Sequence, residues 1–109
     1  MTLSCEDWNI ESETGYKPIT TFYTDFSIAD GFGVAAIKDT YKRAMQNWKD
    51  NYKYLTELVM VLNWKLWRHW EGGNEKYAEL YHDLWWKTDN YALDNLKDEE
   101  LDYFIRTTD

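Results

Sequence analysis

Hydrophobic residues recur at intervals of three and four through most of this chain, which is the period of an amphipathic helix. The first such stripe consists of Val34, Ile37, Tyr41, Met45 and Trp48. It predicts a first main helix over about residues 34–49, or a longer one from Ser27 if Ser27 and Asp30 form a capping box. Gly31 and Gly33 weaken any helix at this point, because glycine loses much backbone freedom on folding.

A second and more apolar helix follows Asp50 and Asn51, either of which can cap its N-terminus. Its main stripe consists of Leu55, Leu58, Val59, Leu62, Leu66 and Trp70. A second stripe lies almost opposite and consists of Met60, Trp64 and Trp67. A helix that is apolar on two sides is usually buried between neighbours. The pair Gly72 and Gly73 predicts its end.

A third helix is predicted with Asn74 as its N-terminal cap, and a short fourth helix completes the pattern. The inner face of the third consists of Tyr77, Leu80, Tyr81, Leu84, Thr88 and Tyr91, with Trp86 and Leu93 on the other side. The fourth is indicated by LKDEELDYFI, in which residues 98–100 place carboxylates at the positive end of the helix dipole. Residues 16–26 are rich in threonine and aromatic residues, and Pro18 limits them to an edge strand or an extended segment across the helices.

Together these elements predict an all-α fold: a compact bundle of three main helices plus a short C-terminal helix, with an extended N-terminal segment. Antiparallel neighbours follow from the short connections. The 109 residues fit one domain, 1–109, with 1–26 an extended or loosely held arm and 27–109 the helical core. A hydrophobic content of 44% supplies a core and argues against disorder.

The formal charge of −8 changes the picture of possible partners. Lysines and arginines alternate with acids, so neither direct nucleic-acid binding nor an anionic membrane surface is expected. A basic protein partner stays open, as does the simpler interpretation that the charge only maintains solubility. The acidic start has no leader pattern, and the run Leu58–Leu62 is too short to cross a bilayer, so we predict a cytoplasmic protein. Cys5 is the single cysteine, which excludes a disulfide within this chain.

No motif predicts catalysis, a cofactor or a metal. Glu79-x-x-His82 has the spacing of di-iron bundles, but the only other histidine, His69, lacks the second pair that such a site needs. Cys5 stands among acids, which raise a thiol pKa and reduce its reactivity. Gly31-x-Gly33 lacks the lysine and third glycine of phosphate loops, and no serine stands in a nucleophile elbow.

Two features suggest a surface for a partner protein. The candidate protein-binding residues are Met60, Trp64, Trp67 and Trp86, because large aromatic side chains dominate binding hot spots. The alternative is that these tryptophans are core residues clamped between helices. The second feature is an acidic row at intervals of four, consisting of Glu71, Glu75, Glu79 and Asp83. It is either a ridge for a partner or an ordinary solvated face.

Three stretches resemble a family of short uncharacterised proteins carried on prophages and conjugative elements of Gram-positive gut bacteria. They are DFSIADGFGVAAIKDTYKRA, NYKYLTELVMVLNWKLW and the terminal RTTD. The resemblance implies a bacterial cytoplasmic accessory protein and supplies no activity, cofactor or functional residue. Gly31 stands where a larger polar residue is expected, which brings the continuity of the first helix into question.

The function expected from the sequence is that of a non-catalytic accessory protein of a mobile element, acting through protein–protein contacts. An acidic inhibitor of a nucleic-acid-binding protein is one version of this hypothesis. The second alternative is a structural or self-assembling protein that forms a homodimer through the second stripe of its second helix. An enzyme of unknown type ranks third.

Overall fold

The computed structural model describes residues 18–108, and every regular element in that range is a helix. In chain order the helices are α1 Phe22–Asp30, α2 Val34–Trp48, α3 Tyr52–Glu71, α4 Glu75–Asn95 and α5 Glu99–Thr108. The all-α class is therefore confirmed for the described residues. Among them, no helix combines the length and the apolar character that crossing a bilayer requires.

The prediction of an extended segment up to residue 26 is wrong over Phe22–Phe26, which belong to α1. The helix forms because its apolar residues Phe22, Tyr23, Phe26 and Ala29 share one face and are buried together. Threonine and aromatic residues favour strands only weakly, and this burial outweighs that preference. The predicted bundle of three main helices and one short helix therefore omitted one helix, α1. The arm predicted for residues 1–17 lies outside the described range.

A sharp turn separates α1 from α2, so the alternative of one helix from Ser27 is also wrong. Gly33 has a φ of 111°, which side chains with a Cβ rarely adopt. The amides of Gly31 and Gly33 donate to the carbonyls of Ile28 and Ala29, which closes the end of α1. Ser27 lies inside α1 and caps nothing. This turn redirects the chain, so that α2 packs against α1.

The hairpin of α3 and α4 makes the most extensive contact between helices. Asp50 and Asn51 were the two predicted caps of α3, and the structure shows Asn51 in this role. Its Oδ1 accepts from the amides of Lys53 and Tyr54 at 3.2 and 3.4 Å. Gly72 and Gly73 end α3 as predicted, with Gly73 at a φ of 77°. The three-residue connection turns α4 back along α3.

The core consists of two adjoining apolar clusters. The larger joins α1–α4 and contains Phe26, Ile37, Leu58, Leu62 and Tyr81; the smaller joins α3–α5 and contains Leu55, Val59, Ala92, Leu96 and Phe104. The predicted burial of Leu58 and Leu62 is confirmed. The prediction is wrong for Trp70, which is 57% exposed in the last turn of α3. It lines a groove between α3 and α4 in which Ala78, with its small side chain, leaves the indole uncovered.

Candidate functional site

A largely buried polar cluster joins α1, α3 and α4. It consists of Asp30, Lys65, His69 and Tyr81. The carboxylate of Asp30 accepts from Lys65 Nζ at 2.7 Å, His69 Nε2 at 3.0 Å and Tyr81 Oη at 2.6 Å. Lys65 is only 4% exposed, so its ammonium depends on this carboxylate for compensation.

The electrostatics of the cluster favour an ionised Asp30. Burial alone would raise its pKa, but the hydrogen bonds from His69, Lys65 and Tyr81 and the charge of Lys65 outweigh burial and lower it. Burial and the Asp30 charge together raise the pKa of Tyr81, which stays a neutral donor. His69 Nδ1 lies 3.4 Å from Asn74 Nδ2. The imidazole therefore lies between the Asp30 carboxylate and the Asn74 amide.

Further contacts connect the cluster to other side chains of the protein. Lys65 Nζ donates to Ser27 Oγ at 3.1 Å and lies 5.0 Å from the centre of the Tyr23 ring. The imidazole of His69 stacks on the Tyr81 ring with centroids 5.3 Å apart and planes 10° apart. Because the charges and donors satisfy one another, we interpret the cluster as a joint between helices.

A second buried carboxylate holds the chain just before α1. Glu57, on α3, is 1% exposed and accepts from the amides of Ile19 and Thr20 at 2.8 and 2.9 Å and from the Thr20 hydroxyl. Thr20 Oγ1 in turn accepts from the amide of Phe22, the first residue of α1, at 3.1 Å. The start of α1 is thereby fixed to α3.

An aromatic groove opens between α3 and α4 near their connecting turn. Its volume is about 470 Å³, and it is lined by Leu66, Trp67, Trp70, Ala78, Glu79 and His82. Trp67 and Trp70 are 55% and 57% exposed. Ligand sites in proteins commonly have volumes of roughly 300–1,000 Å³. The groove is thus large enough for a side chain or a small ligand.

Helical periodicity explains why these side chains meet. Trp67 and Trp70 are three residues apart on α3, and Glu79 and His82 are three apart on α4, so each pair shares one face of its helix. The buried Ala78 leaves open the space between the two faces. The His82 ring also contacts Trp85, with centroids 5.8 Å apart. Within residues 18–108 no three histidine, cysteine, aspartate or glutamate side chains are placed to hold a metal ion.

The structure separates the four binding residues predicted from sequence. Met60 is half-buried, and Trp64 is half-buried against the larger core cluster. Trp67 lines the groove, whereas Trp86 is 57% exposed on α4 and is not among the lining residues. Sequence reasoning missed Trp70 as a partner of Trp67. The sequence contained a signal for this pairing. Trp67 and Trp70 are three residues apart, and Glu79 and His82 are also three apart on the helix that follows the Gly72–Gly73 turn.

A second groove, of about 430 Å³, lies between α1 and α2. Phe32 and Ile28 are exposed at its edge, and Asp39 pairs there with Arg43 at 3.2 Å. Of the tryptophans within residues 18–108, Trp48 alone contributes to its lining. Since paired exposed tryptophans are the stronger mark of a binding hot spot, the α3–α4 groove is the better candidate.

Comparison with protein-family models, curated proteins and solved structures found no match to this chain. We therefore infer function from the side chains themselves.

Proposed function

We propose that this protein is a non-catalytic binding protein that captures a partner protein through the α3–α4 groove. The exposure of Trp67 and Trp70 side by side in one groove supports this most strongly. Exposed aromatic patches are commonly binding sites, and tryptophan is enriched among the residues that dominate binding energy.

The support behind the groove favours binding without large rearrangement. Leu62 and Tyr81, on α3 and α4, are fully buried, and the polar cluster ties both helices to α1. A rigid frame reduces the conformational entropy lost on binding. The groove can therefore receive a partner's side chain in the shape that it already has.

The cellular setting is part of the same proposal. The resemblance of residues 25–44 and 51–67 to accessory proteins of bacterial mobile elements supports a role on such an element, in the cytoplasm. The partner would then be a protein of the host or of the element.

Self-association is the second candidate. Trp86 and Leu93 are both exposed and are seven residues apart, so they lie along one side of α4. Such a pair could meet its copy in a second molecule. Sedimentation at several concentrations would reveal a dimer, and Trp86→Ser would dissociate it if this side of α4 is the contact.

The test of partner capture compares two variants. The double variant Trp67→Ser/Trp70→Ser removes the groove, and Trp86→Ser removes an equally exposed tryptophan outside it. Wild type and the Trp86 variant should enrich the same protein from the native host, and the double variant should lose it while its melting curve still shows a folded protein. Undiminished capture by the double variant would refute the groove as the binding site.

A further inference from the structure

We propose that the α3–α4 groove binds a cationic side chain, arginine or lysine, from a basic segment of the partner. This inference rests on the proposed partner-binding function and names the chemistry that the groove recognises.

The lining of the groove fits a cation with an apolar stem. Trp67 and Trp70 contribute their indole rings to the lining, and tryptophan is the best of the aromatic side chains at attracting cations. Among the described residues of the lining, Glu79 is the one that carries a formal charge, and it supplies the opposite charge. Leu66 and Ala78 offer apolar surface of the kind on which the methylene groups of arginine and lysine pack.

The charges along α4 continue this pattern. Glu75 and Asp89 lie four residues before and ten residues after Glu79, so periodicity places the three carboxylates along one side of the helix. Lys76 and Lys87 fall roughly 100° or more around the helix from the groove. Lys87 also pairs with Asp83 at 3.2 Å. The approach to the groove along α4 is therefore acidic.

The neighbouring helix does not reverse this charge. Arg68, next to Trp67 in sequence, is turned roughly 150° around α3 from the groove by the same periodicity. The chain as a whole carries −8, and such a field increases the rate of encounter with basic proteins. Charge complementarity thus favours a basic segment over a neutral apolar one.

The experiment follows the indole N–H signals of the full protein by nuclear magnetic resonance. N-acetyl-arginine methylamide is the probe, and N-acetyl-citrulline methylamide is its uncharged counterpart of nearly the same shape. The arginine compound should shift the Trp67 and Trp70 signals with saturation and leave Trp86 unchanged. Added salt should weaken the binding because the attraction is electrostatic.

A pair of variants isolates the carboxylate. Glu79→Gln should weaken binding of the arginine compound by roughly threefold or more, the scale of one exposed cation–π or ionic contact. Glu100→Gln removes the same charge from α5 and should leave the affinity unchanged. Folding of both variants is checked by circular dichroism.

The outcomes separate this inference from the proposed function. Equal binding of the citrulline compound, no effect of Glu79→Gln, or no shift with either compound at tens of millimolar would overturn the cationic site. Partner capture by wild type and its loss in the Trp67→Ser/Trp70→Ser variant would still support the binding function. Conversely, capture retained in that variant would refute the groove as the partner-binding site, even if the arginine compound binds there.

Discussion

Replacing Asp30 with asparagine should destabilise the protein strongly, although the substitution hardly changes the size of the side chain. The carboxylate of Asp30 accepts hydrogen bonds from Lys65, His69 and Tyr81. Asparagine keeps one acceptor oxygen and brings an amide group that donates. The variant therefore leaves the ammonium of Lys65 in a buried position with Ser27 Oγ and the Tyr23 ring as its remaining partners.

The magnitude follows from how deeply this pair is buried. Removing one member of a fully buried ion pair costs about 3–5 kcal/mol, because the other charge is left uncompensated. The side chains of Lys65 and Asp30 are 5% and 16% exposed, so some water reaches the carboxylate. We therefore expect a loss near the lower limit, about 3 kcal/mol of the free energy of unfolding.

The assay is urea denaturation, followed by circular dichroism at several pH values. Because the pKa of Asp30 is lower in the folded protein than its usual 3.8, the contribution of its charge is present above that value. The contribution is lost as the pH falls through the folded pKa. The difference between wild type and Asp30→Asn should therefore be complete at pH 7 and shrink below about pH 4.

Two controls complete the experiment. Asp39→Asn removes an aspartate from an exposed ion pair with Arg43 and should cost less than about 1 kcal/mol. Combining Asp30→Asn with Lys65→Met removes both charges, so the double variant should lose at least about 1 kcal/mol less than the sum of the single losses. The reasoning is refuted if Asp30→Asn costs under about 0.5 kcal/mol, or if its cost does not vary between pH 7 and pH 3.

Three further comparisons test the packing and the turns. Leu62→Ala should cost about 2–5 kcal/mol in urea denaturation because it leaves a cavity in the larger core cluster, and a negligible loss would show that the stripe is not the core. Trp64→Ala should cost about 3 kcal/mol and Trp67→Ala about 1 kcal/mol, so equal losses would contradict their different burial. In thermal melts Gly73→Ala should cost about 1–2 kcal/mol because the φ of Gly73 is positive. Gly31→Ala should change stability by less than about 0.5 kcal/mol. Equal effects of the two substitutions would show that backbone strain is not responsible.

The sequence was most informative where one apolar stripe faces one core. The spacing of Leu58 and Leu62, the cap at Asn51 and the double glycine together specified α3 with bounds close to those observed. Helix α1 was hidden because it is short and begins inside residues 16–26, a segment rich in threonine and aromatic residues. Its helical form depends on burial against α2 and α3, which local composition does not record.

The candidate site was only partly predictable for a related reason. Periodicity shows that α3 is apolar on two sides, but it does not show how far along each side the neighbouring helices extend. Trp64 and Trp67 therefore belonged to one predicted stripe, although the first packs on the core and the second is exposed. The polar cluster joins Asp30, Lys65 and Tyr81 from three helices, and no local pattern in the sequence links them.

Helix α1 is held at each end by a carboxylate, one from α3 and one from α1 itself. Glu57 of α3 binds the backbone just before the helix, and Asp30, the last residue of α1, reaches back to α3 and α4. Opening at one end gains little chain freedom while the other end is held, so α1 should detach as a single cooperative unit instead of fraying from its first turn. The amides of Ile19 and Thr20 precede the helix and would exchange quickly in most chains. Here their hydrogen exchange would report the rate at which the whole of α1 lifts from the bundle.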